Sequence, residues 1–530
     1  MAFLGGQRIE ERKDEFMSGK SLPQLKAMRE TFSVELRKQN RSDKAQKRRL
    51  LLNAAYAEGE EGSDKPLSFH SIPYELVSVC PVIVDEQANE MTKASALREV
   101  IQTARTADLV LMALTVLRKA VCSQVAPPVQ VLLQLDYIPL LLQHLEPEVC
   151  PVATLAEAAW VLCNLLSAPR SGVERAISLG AVPKLISCIR GDMLGVAENA
   201  IWALGNIAGE GEQYRDLLLS TGLPTALYQL VMESPELHDT LGRVSAWVCS
   251  QLLKPTQPSE EVLKSLYSVL TTLYDLDDME TKREVLVAAG SIHTWSYPIS
   301  MVVNASGMLN ILLAEPENRA DCLVKPSIRA LGDLVEADED TTQMALDGGL
   351  LNAFMVWFNC PEAATRADIL RHLSNVTAGS PSQVSEFCRH PLCTEALKSL
   401  EDPVCQVRKE ASFLYFNLTK QATVAERLAL VEHSIFTYLK RLYEDNSHNA
   451  LNAIKIAERV LAAGEIRASD TKANINSAAV LYEAAGCLQA LTSLANRHLP
   501  NISAEAEHLM DVYFGAGEEG EADEAGLSFT

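Results

Sequence analysis

Aromatic residues are scarce in this 530-residue chain, at 6%, and glycine (26) and proline (23) are few for its length. Strands draw on aromatics and turns on glycine and proline, so the composition argues against an all-β protein. No run of 18 or more uncharged apolar residues occurs, which leaves no expected membrane span. The N-terminus, MAFLGGQRIEERKDEF, carries charges where a secretory signal needs an apolar stretch. The 12 cysteines include no CxxC pair, so neither a zinc ribbon nor a disulfide framework is indicated. A reducing compartment, cytosol or nucleus, is the expectation. There is no HExxH, GxSxG or P-loop string, and no Ser/His/Asp or paired-carboxylate constellation stands out. No enzyme activity, cofactor or metal is therefore expected. Cys388 and Cys393 in CRHPLC lack partners for a metal site. GAGEEG (Gly515, Gly517, Gly520) spells a dinucleotide fingerprint, but no strand precedes it and five acids between Glu518 and Glu524 would repel a pyrophosphate.

What is present is apolar material, 48% of residues, and an uneven charge. The net charge is −22, an excess of acid that argues against direct nucleic-acid binding. Residues 1–50 hold 13 Lys/Arg and 7 Asp/Glu, a balance of +6 that leaves −28 on the remainder. The chain is thus a basic arm on a strongly acidic body.

The body repeats itself. AEAAWVLCNLL and AENAIWALGNIA place Trp160 and Trp202 42 residues apart, and Asn164 and Asn206 likewise. Trp247 follows 45 residues later in VSAWVCSQLL, with Gln251 at i+4. Further on, Asp333, Asn375 and Asn417 succeed one another at intervals of 42. Gly180 and Gly222 stand 42 apart before apolar, proline-containing stretches, and Gly307 and Gly349 repeat the pattern. Each unit reads as two or three helices broken by glycine, the last helix apolar at i, i+3, i+4 and i+7. This period is that of armadillo or HEAT repeats. The expectation is an all-α, right-handed armadillo-repeat solenoid of about ten units over residues 95–513, with a flexible basic arm at 1–53, a linker at 54–94 and an acidic tail at 514–530. EVLVAAGSIHTWSYPI, near 280–300, is degenerate, and the pattern leaves its helix boundaries open.

In WVLCN and WALGN, Trp and Asn stand at i and i+4, side by side on one helix face. Stacked repeats would line these pairs into a ladder. Asparagine amides could grip an extended peptide backbone without reading its sequence. Indoles one repeat apart would form slots for Lys or Arg stems, and acids such as Glu210 would bind the charged ends. A lone Trp at helical spacing is usually core. Three in register, two with Asn and one with Gln at i+4, point instead to a groove for a basic peptide.

These residues carry a resemblance. AEAAWVLCNLLSA, NAIWALGNIAGEGEQYRDLLL and SAWVCSQLLK resemble the second to fourth armadillo repeats of importin α, the nuclear-import adaptor family. KPSIRALGDLVEADEDTTQMAL, RADILRHLSNVTAGSPSQV and RKEASFLYFNLTK look like its sixth to eighth repeats. EAAGCLQALTSL with HLMDVYFGAGEEGEAD looks like its last repeat and acidic tail, and ERKDEF…VELRKQNRSDKAQKRRL like its importin-β-binding segment. The resemblance implies a major site for nuclear localisation signals at Trp160, Asn164, Trp202, Asn206, Glu210, Trp247 and Gln251. It implies a minor site around Arg329, Asp333, Asp368, Arg371, Asn375, Glu410, Phe413 and Asn417. It also implies shuttling between cytoplasm and nucleus, an importin β partner, and an export receptor docking near the last repeat. An alternative is another armadillo scaffold, catenin-like, that binds extended peptides without needing a basic arm.

The departures from the family pattern are specific. Gln251 replaces the third asparagine of the major ladder, and Val173 stands where a threonine usually helps hold the key lysine. Arg371 and Phe413 occupy the two minor-site tryptophan positions, and Asp333 an asparagine position. A cationic Arg371 repels a lysine stem and forms no indole slot, so the minor site is expected to be weakened or altered. In the arm, Lys47, Arg48 and Arg49 resemble a localisation signal able to lie in the chain's own groove. Arg12, Lys13, Arg37, Lys38 and Arg41 would face importin β. Tethering raises the arm's effective concentration, so autoinhibition follows. NxS/T strings at Asn375 and Asn417 fall on expected groove helices, where glycosylation is not expected.

Overall fold

A computed structural model describes residues 72–122, 127–167, 170–234, 237–254, 258–290, 299–445, 447–473, 475–497 and 500–515. The arm, with Arg12, Lys13, Arg37, Lys38, Arg41, Lys47, Arg48 and Arg49, lies outside the described residues, as does the tail beyond residue 515. Among the described residues every regular element is a helix. The chain divides between Leu312 and Leu313 into two compact units, where the repeat count alone gives one run over 95–513.

The ladder sequences fold as one long helix per repeat. In the N-terminal unit these are α1 (Ala107–Val121), α2 (Val152–Leu166), α3 (Leu194–Gly209), α4 (Asp239–Leu252) and α5 (Met279–Ala289). In the C-terminal unit they are α6 (Asp321–Ala337), α7 (Ala363–Thr377), α8 (Cys405–Gln421), α9 (Ser447–Thr471) and α10 (Pro500–Phe514). Within each unit, successive members pack side by side. Their apolar residues therefore extend almost around the helix. In α3, Val196, Ala197, Ala200, Ile201, Leu204, Ile207 and Ala208 are all buried, as a helix with neighbours on both flanks requires. Each leucine so buried stabilises by about 2 kcal/mol.

Shorter helices complete each repeat, such as Arg170–Ser178 with Ala181–Ser187, and Glu212–Ser220 with Leu223–Glu233. The chain turns sharply between the members of such a pair, and the 42-residue glycines sit at that joint. Gly180, Gly222, Gly307 and Gly349 have φ of 76°, 88°, 74° and 97°, where a Cβ costs roughly 1–2 kcal/mol. Asp136 takes the joint in an earlier repeat at φ 47°, with its carboxylate held by Nε and Nη2 of Arg175 at 3.2 and 2.9 Å. The degenerate stretch is helical as α5 to Ala289 and again over Ile299–Ala305; residues 291–298 lie outside the described residues. Asp278 caps α5 by accepting from the Thr281 N–H, and it also takes two hydrogen bonds from Arg243 on α4.

One boundary is corrected. The span expected to be a linker, 54–94, is structured in its described part. Tyr74–Val79 and Pro81–Val84 form short helices, and Glu90–Thr103 begins before residue 95. Leu76, Cys80 and Ile83 are buried, and Tyr74–Val79 packs on α1. The apolar run in YELVSVCPVIV thus closes the open end of the first repeat, as a stack of half-apolar helices demands.

Candidate functional site

The ladder residues of the N-terminal unit lie on α2, α3 and α4, which pack in that order. Trp160 and Asn164 are buried, Trp202 and Asn206 half-buried, and Trp247 and Gln251 buried. Trp202 is therefore the indole most open to a ligand. Glu210 is the C-cap of α3, half-buried, one turn beyond Asn206. Val173 is wholly buried and offers a ligand nothing.

The indoles do not form a uniform series of slots. Trp202 and Trp247 touch, with ring centroids 6.2 Å apart at 50°. A methylene stem held between two rings needs roughly 7–8 Å, twice the carbon contact distance. The slot expected between these two indoles is thus closed. The reason lies in Gly205: a Cβ there would fall 2.3 Å from Cζ3 of Trp247, so the missing side chain lets Trp247 settle onto α3. The three-residue excess in the 202–247 spacing accompanies this shift.

The amides also differ from a set of donors reserved for a peptide. Nδ2 of Asn164 donates to the Trp160 carbonyl of its own helix at 3.1 Å. Nδ2 of Asn206 donates across to the Cys163 carbonyl at 3.2 Å. Gln251 folds back, with Nε2 donating to Ser250 Oγ at 3.1 Å and Oε1 accepting from Lys254 Nζ. Its longer side chain reaches its own helix end, so Gln251 does not extend the ladder.

The altered half is in the C-terminal unit, on α6, α7 and α8. Arg371 Nη1 pairs with Asp368 Oδ1 at 2.8 Å. Asp368, an acid of the expected minor site, is therefore occupied by the arginine at an expected tryptophan position. Phe413 is buried. Asn417 is buried too, its Nδ2 donating to Ser374 O and Oγ at 3.2 and 3.0 Å, so its donors serve the fold. Glu410 is buried and accepts from Gln406 Nε2 at 2.5 Å. Burial raises its carboxyl, with Lys409 and Arg371 opposing and Asp368 adding. Arg329 is exposed and Asn375 half-buried.

Two groups here titrate abnormally, in opposite directions. Burial pushes the Asp333 carboxyl up to about 7; Glu336 adds to this, while Arg329 and Arg371 oppose it. Burial takes His372 down to about 3, and Arg371 and Arg329 lower it further. The Asp333 contribution to stability is fully present below its ordinary value of 3.8 and is lost as pH rises towards 7. The His372 contribution is present above its ordinary 6.5 and is lost as pH falls towards 3. Between about pH 4 and 6.5 the two partly offset each other. Asp333→Asn is therefore expected to uncover acid lability. Its urea midpoint should fall between pH 6.5 and 4.5 by more than the wild type's, and equal falls would contradict the Asp333 shift.

Three basic residues share the ladder period without matching its Trp/Asn pattern. Arg118 stands 42 before Trp160, Lys455 42 after Phe413 and Arg459 42 after Asn417. Lys455 Nζ pairs with Glu505 at 2.7 Å and Glu458 at 3.1 Å. Arg459 Nη1 donates to the Phe416 carbonyl at 2.6 Å, with Cζ 4.4 Å from that ring's centroid. It makes the same step that Asn206 makes to Cys163 and Asn417 to Ser374, each spanning 43 residues. At Asn206, Asn417 and Arg459 the ladder position thus clips neighbouring repeats together.

A face of indoles, amides and carboxylates suits an extended cationic chain. Among the described residues no group of His, Cys, Asp or Glu could hold a metal ion, and no single helix is long and apolar enough to cross a membrane.

Comparison with known proteins places this geometry. A family model described as an importin beta binding domain matches residues 12–113, and one described as an armadillo/beta-catenin-like repeat matches residues 171–209. Importin subunit alpha-1b of Oryza sativa subsp. japonica is 28% identical over 260 residues, covering 48% of either chain. Importin subunit alpha-2 of Caenorhabditis elegans is 25% identical over 337 residues, 63% of this chain and 60% of its own.

The chain is similar to importin α subunits over these spans.

The match spans about half the length of these curated relatives. An engineered protein of known crystal structure, 16% identical, aligns with a TM-score of 0.65 over 79% of this chain and 99% of its own, which speaks to the fold. The fold is an all-α stack of armadillo repeats.

Proposed function

We propose that the chain is a nuclear import adaptor. It binds Lys/Arg-rich localisation signals on the α2–α4 face and couples them to importin β through its basic arm. One observation carries this reading: a segment matching an importin-β-binding domain shares a chain with Trp/Asn pairs on stacked helices, on a body of charge −28. The arm's +6 complements that body, and Lys47, Arg48 and Arg49 supply a competing internal ligand. Removal of the arm by importin β frees the face, and by reciprocity cargo strengthens the importin β complex. The role is binding, not catalysis, with residence in both cytoplasm and nucleus. An export receptor is a further partner in this reading, and nucleic acid is not.

Within the reading, Trp202 is the principal indole and Glu210 the acid beyond it. The C-terminal face contributes less than a second full site, because Arg371 already satisfies Asp368. Deleting residues 1–53 is expected to raise affinity for a fluorescent lysine-rich peptide about tenfold or more, the gain on removing a tethered competitor. The same deletion should abolish importin β capture. Equal Kd values for both proteins would remove autoinhibition, and retained capture would move the importin β contact elsewhere.

A further inference from the structure

Arg118 lies in the last turn of α1, which packs against α2. Its Cζ stands 4.8 Å from the centroid of the Trp160 ring. Its Nε donates to Oε2 of Glu157 at 2.7 Å. Glu157 is on α2, three residues before Trp160, so acid and indole come from one helix face. The two paired side chains are 22% and 16% exposed, which makes this a part-buried contact and not a solvent-washed pair.

This arrangement reproduces what a ligand's basic side chain would make: a cation over an indole with its charge against a carboxylate. It is supplied by the chain itself, one repeat before the first indole. The Trp160 face towards α1 is taken, and so is Glu157. Nε is the Arg118 donor that pairs with Glu157, and a guanidinium carries two further nitrogens in a planar fork, the geometry that suits a carboxylate.

We propose that Arg118 ends the row of basic subsites at Trp160, acting as a tethered stand-in for a ligand cation. The site then takes a short run of Lys/Arg and, at the adjoining position, prefers a carboxylate side chain to another cation. The proposal rests on the reading of the α2–α4 face as a peptide site. It adds a specificity rule to that reading: the flank of the signal matters, and at one end only.

The test is fluorescence anisotropy on the full chain with five peptides. All share a Lys-Lys-Arg-Lys core between alanines. One has neutral flanks, two carry Lys next to the core at either end, and two carry Glu there. At one end the Glu peptide is expected to bind about tenfold tighter than the Lys peptide, the scale of reversing one partly screened charge contact. The arm competes equally with all five peptides, so the ratio is unaffected by it. In Arg118→Ala the preference at that end disappears or reverses, because Glu157 is released; Arg118→Lys retains it. Arg118→Gln, which keeps the stem and a donor for Glu157, carries the same comparison should alanine loosen α1. Wild-type protein with no preference at either end overturns the proposal, as does an unchanged preference in Arg118→Ala and Arg118→Gln. A neutral-flanked core peptide that fails to bind overturns the groove reading itself, and the proposal with it. Binding of that peptide without a flank preference overturns the Arg118 rule alone.

Discussion

Alanine at both Trp160 and Trp202 is expected to weaken binding of a lysine-rich peptide by about a hundredfold or more. Each indole offers a desolvated cation contact of about 1–2 kcal/mol, and two of them amount to roughly two decades in Kd. The contributions are unequal. Trp202 is half-buried, whereas Trp160 is buried with one face under Arg118. Trp202→Ala alone should therefore carry most of the loss. Trp247→Ala behaves differently. That indole packs onto Gly205 and Trp202, so its removal leaves a cavity costing about 3–5 kcal/mol of stability. Anisotropy titration of full-length and arm-deleted protein separates the effects, with a thermal melt alongside. Unchanged affinity in the Trp160→Ala/Trp202→Ala protein would show that the ladder is core and nothing more.

Gly332→Ala is expected to be the most damaging single methyl in the C-terminal unit. A Cβ at 332 would lie 1.9 Å from Cε1 of His372 and 2.2 Å from each ring nitrogen. The ring cannot yield, because it is fully buried and backed by Phe354 at 6.4 Å. Overpacking of this kind costs about 3 kcal/mol when no side chain can swing away. The melting transition should drop by several degrees or lose cooperativity. His372→Ala in the same chain makes room, so the double variant should be more stable than the sum of the single losses by about 1–3 kcal/mol. A simple sum would mean that the methyl clashes elsewhere. Neither ring nitrogen of His372 has a hydrogen-bond partner among the described residues, so His372→Leu alone should be neutral or stabilising.

The repeat architecture was legible because its markers are spaced by geometry. The joint glycines recur at 42 residues since each repeat needs one left-handed residue between two short helices, and the structure puts all four there. The ladder helices were legible from Trp and Asn at i and i+4. The state of the ladder was less so. Closure of the Trp202–Trp247 slot depends on a glycine of the neighbouring helix, in contact with the indole it admits, and spacing alone does not reveal that contact. Gln251 reads as an amide with longer reach, but length lets it find its own helix end first. Arg118 was visible by counting back one period, yet a search for tryptophans passes over a cation in the same register. The helices at Tyr74–Val79 and Pro81–Val84 are too short for periodicity, and burial explains them, the first against α1 and the second against Glu90–Thr103.

The cross-repeat clip has a mechanical consequence. From Asn206 to Cys163, Asn417 to Ser374 and Arg459 to Phe416, the side chain at one register position ties its helix to the helix before it. A chain joined in this way carries load by nearest neighbours, like links and not like a beam. Tension applied at an end is borne by the terminal link until it parts, while links farther in keep their grip. The indole face on α2–α4 is shielded from a pull at the N-terminal side only by α1 and the helices before it.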